Sequence, residues 1–465
     1  MRISNVLLSK FSIFILICFI CSLYSSVGAQ DHFLRDKAYR TGVLDNIAEL
    51  IADKYVLPER ARMYAEKFRE RCKSVCYDSC ANPKAFAEKI TSDLIGITGD
   101  KHISLRVKEP GDTVEKAESS LRHPLRYHRL GIRENRGFSK LEWLDGNIGY
   151  LELRRFYLYP DVKDMVIASM KFLSNADAII IDLRKNGGGS GDYLSSYFLE
   201  HPTQLNGWYS REDDFLTEFW TTEHIGMEPL VDIPLFLLTG GETFSAAESF
   251  AYDMKVRGRA MMVGEPTKGG AHSVDLFQID NQFEIYIPTA RAVNPVTGTN
   301  WEGTGVVPDV SVPAESALDT ALVLARISAA EYQKTKENKL EHAIEVMQSH
   351  IERMEKHFSE NEDQLASTAL DSVIQIAEAH GMLNEFFMYV LAYHYNSRED
   401  APIRTTILNK RIEHYPDSPT AHEDLAYAYY VNNEIEAAIA AFQHVLEMDP
   451  GNRNAMNMIK KIRNE

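Results

Sequence analysis

The rhythm of apolar positions divides the chain into three stretches. Between about residues 31 and 100, apolar side chains recur every three or four residues, as in GVLDNIAELIADKYVLPERARMYAEKF and NPKAFAEKITSDLIGI. That spacing predicts helices with one buried face. Pro58 falls near a predicted helix start, where its missing N–H does no harm. The middle of the chain changes character. LEWLDGNIGYLELRRF sets an Asp145-Gly146 turn between β-rich runs, which predicts a hairpin. ADAIIIDLRKNGGG, IPLFLLTGG and RAMMVGEP carry continuous apolar runs, the signature of strands buried on both faces. FEIYIP alternates instead. Helical runs such as GDYLSSYFLE and SAAESFAYDMKVRG separate the strands. That alternation predicts an α/β core. From about residue 315 onward the pattern is helical throughout, rich in Glu, Lys and Ala and poor in Gly.

The last stretch repeats itself. LAYHY at Leu391–Tyr395 returns as LAYAY at Leu425–Tyr429, 34 residues on, and Pro416 and Pro450 keep the same offset. The period and the residues resemble the tetratricopeptide repeat. In the second copy Leu425, Ala426, Tyr429, Ala438, Phe442 and Pro450 hold the signature places, while His422 and Asn433 stand where Trp and Gly are usual. The first copy departs further, with Arg404 and Arg411 where two helices approach on small residues. The resemblance implies a surface for a protein partner. The expected organisation is a signal segment over 1–29, a helical subdomain over 30–105 and an α/β core over 106–330. A helical linker or diverged repeat over 331–384 and the repeats over 385–465 complete it.

Composition narrows the function. A chain of 465 residues with 45% hydrophobic and 25% charged residues supports two or three folded domains. A formal net charge of -17, with no Lys/Arg cluster to offset it, disfavours nucleic acid as a partner. The opening segment has Arg2 and Lys10, an apolar run from Phe11 to Tyr24, then small residues up to Ala29. It predicts a cleaved export signal, a secreted or periplasmic protein and no membrane span after cleavage. Cleavage leaves Cys72, Cys76 and Cys80, whose spacing fits no common zinc pattern. One disulfide or plain packing is the expectation, with neither metal nor cofactor.

The candidate chemistry centres on LTGGETFSAAESFAYDMK, where Ser245 joins a buried strand to a helix. Ser245 and Glu248 match the S-x-x-E capping box, in which the serine only satisfies free N–H groups. Three other stretches favour a nucleophile. DLRKNGGGSGDYL ends a buried strand in Asn186 and Gly187–Gly189, a loop able to present bare N–H groups to an anion. The phosphate-loop spacing is absent. TGDKHISL places His102 where the helical region meets the β-rich middle, and NWEGTGVVPDV places Glu302 in a Gly-rich loop.

Together, DLRKNGGG, TFSAAESF, RGRAMMVGEPTKGG and GTGVVPDV resemble the tail-specific, or C-terminal processing, serine proteases, in the family's order. The superfamily includes the tricorn core and the interphotoreceptor retinoid-binding protein. The resemblance covers roughly residues 31 to 315. It implies a crotonase-like α/β/α core and a serine-type peptidase acting on peptides or proteins. The interval from His102 to Gly149 leaves no room for the PDZ domain that many members carry.

The resemblance assigns Ser245 as nucleophile. The lysine base of the processing branch would fall on Gly270, and Lys268 lies two positions away. The tricorn-like branch uses histidine instead. It implies His102 as base and Glu302 as the group that orients it, with Lys101 where a serine is usual. The N–H groups of Gly188 or Gly189 and of Ala246 would receive the oxyanion. An imidazole base predicts a rate that rises with pH through about 6.5 to 7. The alternative implied by the retinoid-binding relative is a non-catalytic binder of small apolar ligands or peptides on the same fold.

Overall fold

The computed structural model describes residues 36–464, apart from 76, 81, 109–124, 126, 191, 192 and 398. The expected export signal and Cys76 therefore lie outside the described residues. Two compact units divide between Tyr332 and Gln333.

In the first unit, helices α1 (Lys37–Lys54), α2 (Pro58–Ser74) and α3 (Pro83–Thr98) come first. Pro58 and Pro83 stand at helix starts, and Asn82 caps α3 by accepting the Ala85 N–H. Their buried residues, among them Ile47, Ile51, Phe68, Phe86 and Ile90, pack on Phe283, Ile285 and Ile287. Those three come from strand β10 (Phe283–Val293), the spine of an antiparallel sheet with β1 (Ser104–Val107), β5 (Gly207–Ser210), β6 (Phe215–Thr217) and β9 (His272–Gln278). The helical stretch thus shares its core with a sheet built largely from residues more than 170 positions later. Cys72 and Cys80 pack at the margin of this core as thiols.

The second sheet is the α/β core. Its order is β11 (Val310–Ser311), β8 (Ala260–Gly264), β7 (Leu235–Thr239), β4 (Ala178–Asp182), β3 (Ile148–Leu153), β2 (Phe138–Leu144). Only the predicted β2–β3 hairpin is antiparallel. In β4, Ile179 and Ile181 face α4 (Tyr159–Leu173), α5 (Ser195–Phe198) and α6 (Ala246–Val256). Ala178 and Ile180 face the start of α7 (Ala317–Ser359), whose Ala317, Ala321, Ala325 and Ala329 let it lie close. Helices cover both faces, which is why these strands read as unbroken apolar runs.

In the second unit, α8 (Asp363–Ala379), α9 (Glu385–His394), α10 (Ala401–His414), α11 (Pro419–Val431), α12 (Ile435–Met448) and α13 (Arg453–Asn464) follow the remainder of α7. Ala426, Ala438 and Phe442 form one buried cluster, and Leu425 belongs to the neighbouring one. Arg411 is only 3% exposed. Its guanidinium donates to Asp424 at 2.5 Å and Glu385 at 2.8 Å, so an ion pair fills the place the pattern reserves for a small residue. No helix among the described residues is long and apolar enough to cross a membrane.

Candidate active site

β4 and β7 are parallel neighbours, so the loops after them leave the same edge of the sheet. The loop after β4 is the glycine run; the turn after β7 carries Ser245. Asn186 ties them together. Its backbone O accepts the Phe244 N–H at 3.0 Å, its Nδ2 donates to Leu153 O, and its Oδ1 accepts the Gly188 N–H at 2.9 Å. Gly188 has φ +93°, and a Cβ there would lie 2.8 Å from that of Ser245. Only glycine permits this approach.

Ser245 has φ 55° and ψ -118°, outside the extended range of a capping residue and costly for any side chain. Its N–H donates to Glu248 Oε2 at 2.9 Å and its side chain faces the Glu248 backbone N–H, so the expected capping box is present on an unusual backbone. Glu248 also accepts from Thr267, Gly269 and Gly270. Burial nevertheless pushes its carboxyl above the ordinary range.

Ser245, Ala246, Gly189, His102 and His272 line one cavity of about 380 Å³. Four of the six expected site residues therefore meet there. Gly188 contributes its shape, but its N–H is already committed to Asn186. The N–H groups of Gly189 and Ala246 have no partner among the described residues, and Ala246 opens α6, where the first N–H groups are free and the helix end is positive.

His102 stacks on Phe244 with ring centroids 4.4 Å apart. Its side chain is 11% exposed, and neither ring nitrogen has a hydrogen-bond partner. Burial lowers its pKa to about 4; Asp100 opposes the shift, while His272 and Lys268 add to it. This differs from the ordinary imidazole range expected from sequence. Lys101 turns away and donates to Lys268 O; Lys268 sets its ammonium 4.6 Å from the centre of the Phe244 ring. A Cβ on Gly270 would fall 2.2 Å from Phe244 and 2.5 Å from His102 Cε1. The histidine thus occupies the room a lysine at 270 would need.

Glu302 is placed differently from the expectation. Its Oε2 accepts the Ala271 N–H at 2.6 Å and lies 3.8 Å from His272 Nδ1, so its ion-pair neighbour is His272 and not His102. Burial, and then the neighbouring Asp100 carboxylate, raise its pKa to about 7. The group beneath His102 is Asp100, which accepts the His102 backbone N–H at 2.9 Å, Tyr55 OH at 3.0 Å and His272 Nδ1 at 2.6 Å. Burial works against its charge, but the His272 hydrogen bond and ring charge outweigh it and hold the carboxyl below the ordinary range. Sequence reading passed over both Asp100 and His272. Asp100 stands two residues before His102 in GDKHISL, the one local signal available.

A strained serine, a buried imidazole and N–H groups unpartnered among the described residues meet around one cavity, the set of groups that serine hydrolase chemistry requires. Residues 147–312 match peptidase family S41, and residues 33–135 match the N-terminal domain of peptidase S41 in eukaryotic IRBP. The chain thus carries a region similar to the peptidase S41 domain, preceded by one similar to the N-terminal domain of that family. It is 30% identical over 46% of its length to the carboxyl-terminal-processing protease of Picosynechococcus, covering 49% of that protein. It is 26% identical over 45% of its length to the tail-specific protease of Haemophilus influenzae, covering 32% of it. The chain thus spans half or less of the length of these curated relatives. The solved photosystem II D1 C-terminal processing protease aligns at 22% identity and TM-score 0.31, over 36% of this chain and 43% of that one.

Proposed function

We propose that this protein is a serine-type endopeptidase, with Ser245 as nucleophile and His102 as its base. One observation carries the reading: Ser245 is held in a strained backbone conformation beside a buried imidazole whose two nitrogens lack partners. A capping serine needs neither feature. Neutral His102 takes the Ser245 proton as Oγ attacks the peptide carbonyl carbon, then passes it to the leaving amine as the C–N bond breaks. A water repeats the cycle to release the acid. The oxyanion falls to the Gly189 and Ala246 N–H groups, each such donor typically contributing about 3–4 kcal/mol. Asp100 fixes the backbone under His102 and, with His272 and Glu302, sets the charge around it.

The test is labelling by a fluorophosphonate. Wild type should be modified at Ser245 and hydrolyse a peptide mixture, and Ser245→Ala should do neither. A reactive wild type that hydrolyses no peptide would favour the binder reading, for which the apolar part of the cavity is the specific support. The reading further includes export through residues 1–29, to a secreted or periplasmic site, and recruitment of a protein partner through tetratricopeptide-like repeats over 385–465. The 34-residue repeat and the buried Ala426, Ala438 and Phe442 support the latter.

A further inference from the structure

The cavity that holds Ser245 extends beyond the reacting groups. Its wall carries Leu205, Trp208, Phe219, Trp220 and Val274. Two short segments build much of this wall. Leu205 N–H donates to Phe219 O at 2.7 Å, and Thr221 N–H donates to Thr203 O at 2.9 Å, so 203–205 runs against 219–221. Trp208 is fixed by β5, in register with Ala292 of β10. Phe219 and Trp220 remain 45% and 51% exposed. Large aromatic surface left in water beside a cavity marks a place that another apolar group covers.

The wall also holds one carboxylate, Asp253, which would ordinarily suggest a basic substrate side chain. Its hydrogen bonds argue against that. Oδ2 accepts from Asn206 N at 3.1 Å and Asn206 Nδ2 at 2.6 Å; Oδ1 accepts from Arg257 at 2.5 Å and Asn294 at 3.1 Å. Four donors use its accepting capacity, and Arg257 already neutralises it. Burial, opposed by Arg257, still lifts its pKa to about 6. A lysine or arginine would therefore bury its charge with no free carboxylate to neutralise it.

We infer that this cavity selects a large apolar side chain, aromatic or branched aliphatic, beside the scissile bond, with Trp208, Phe219 and Trp220 as its walls. The inference rests on the peptidase reading, and it commits to a peptide as the occupant. A volume of about 380 Å³ lies near the lower end of ordinary ligand sites, roughly 300–1,000 Å³. That is room for one large side chain and its backbone.

The test uses N-acylated peptides that differ only at the two positions flanking the cleaved bond, carrying Phe, Leu, Ala, Lys or Glu. Binding to Ser245→Ala is followed by tryptophan fluorescence, and cleavage by wild type is followed by kcat/KM. Phe or Leu at one flanking position should exceed Ala by about 10- to 100-fold in both measurements, with Lys and Glu below Ala. Trp220→Ala, or Phe219→Ala if the first does not fold, should lower the Phe-to-Ala ratio about tenfold. Cleavage with no preference, or with Lys foremost, overturns the inference and leaves the peptidase reading standing. If the binding order holds and no peptide is cleaved, the peptidase reading fails and the pocket stands. Tight binding of a free fatty acid or retinoid, with no discrimination among the peptides, overturns the commitment to a peptide.

Discussion

Two serines open two helices in this chain, one in each compact unit. Ser418 starts α11 with φ -88° and ψ 108°, and its hydroxyl accepts the Ala421 N–H. Ser245 starts α6 with φ 55° and ψ -118°, outside that extended range. The first obeys the local rules of capping; the second keeps the reciprocal box with Glu248 but on a strained backbone. Their surroundings differ in the same way. Around Ser418, Glu385 and Arg411 satisfy one another and the serine. Around Ser245, the imidazole of His102 is buried with no hydrogen bond to either nitrogen among the described residues, and Asp100 Oδ1 lies 3.9 Å from Nδ1. A strained backbone and unmatched polar groups in one cavity are what the proposed catalytic reading rests on.

The sharpest way to break this comparison is to remove each hydroxyl. Ser245→Ala should lower peptide hydrolysis by about 10³-fold or more, while Ser418→Ala leaves short-peptide kcat/KM within twofold. Equal effects would erase the distinction. Gly270→Lys comes next. It offers the lysine of the processing branch, but its Cβ collides with Phe244 and His102. Hydrolysis should fall at least about 100-fold, and overpacking should cost about 1–3 kcal/mol in urea unfolding. Recovery or gain of activity would show that a Ser-Lys pair fits this site.

A pH profile separates the bases. His102 works only when neutral, and its pKa is lowered to about 4. The rate should therefore rise with pH through about 4 and be level above about 6, rather than rise through 6.5. Lys268→Met removes a positive charge that disfavours the imidazolium, so the limb should move upward. A second inflection near 7 would belong to Glu302, and Glu302→Gln should remove it. The smallest expected effect concerns stability alone. Glycine tolerates φ 55°, whereas alanine does not, so Ser245→Gly should be more stable than Ser245→Ala by about 1 kcal/mol. At Ser418, an ordinary cap, glycine should exceed alanine only by the capping difference, about 0.5 kcal/mol. Thermal unfolding of the four variants decides it.

The elements of this fold were legible where the chain speaks locally. Ile179–Ile181 and Leu235–Leu238 read as strands because both faces are buried, and the Asp145-Gly146 turn read as a hairpin. Ser245, His102 and the glycine loop were legible as chemistry. What joins them was not. The approach of Gly188 to Ser245 depends on β4 pairing with β7, a non-local event. His272 carried no local signal; its partner Asp100 is 172 residues away. The sequence shows that Gly270 is not lysine, but only the packed site shows that Phe244 and His102 leave no room for one. Arg411 looked like a flaw in a repeat because its partners Glu385 and Asp424 lie on other helices.

Asp100 also says something about inheritance. It receives Tyr55 from the helical layer, His272 from β9 and the backbone of His102 between them. The two matched segments, 33–135 and 147–312, are therefore sewn together at one buried carboxylate directly under the proposed base. A peptidase assembled by exchanging either segment with a distant relative would have to carry tyrosine, aspartate and both histidines across as a set. These two segments can diverge in surface and substrate, but at this point they must travel as a single heirloom.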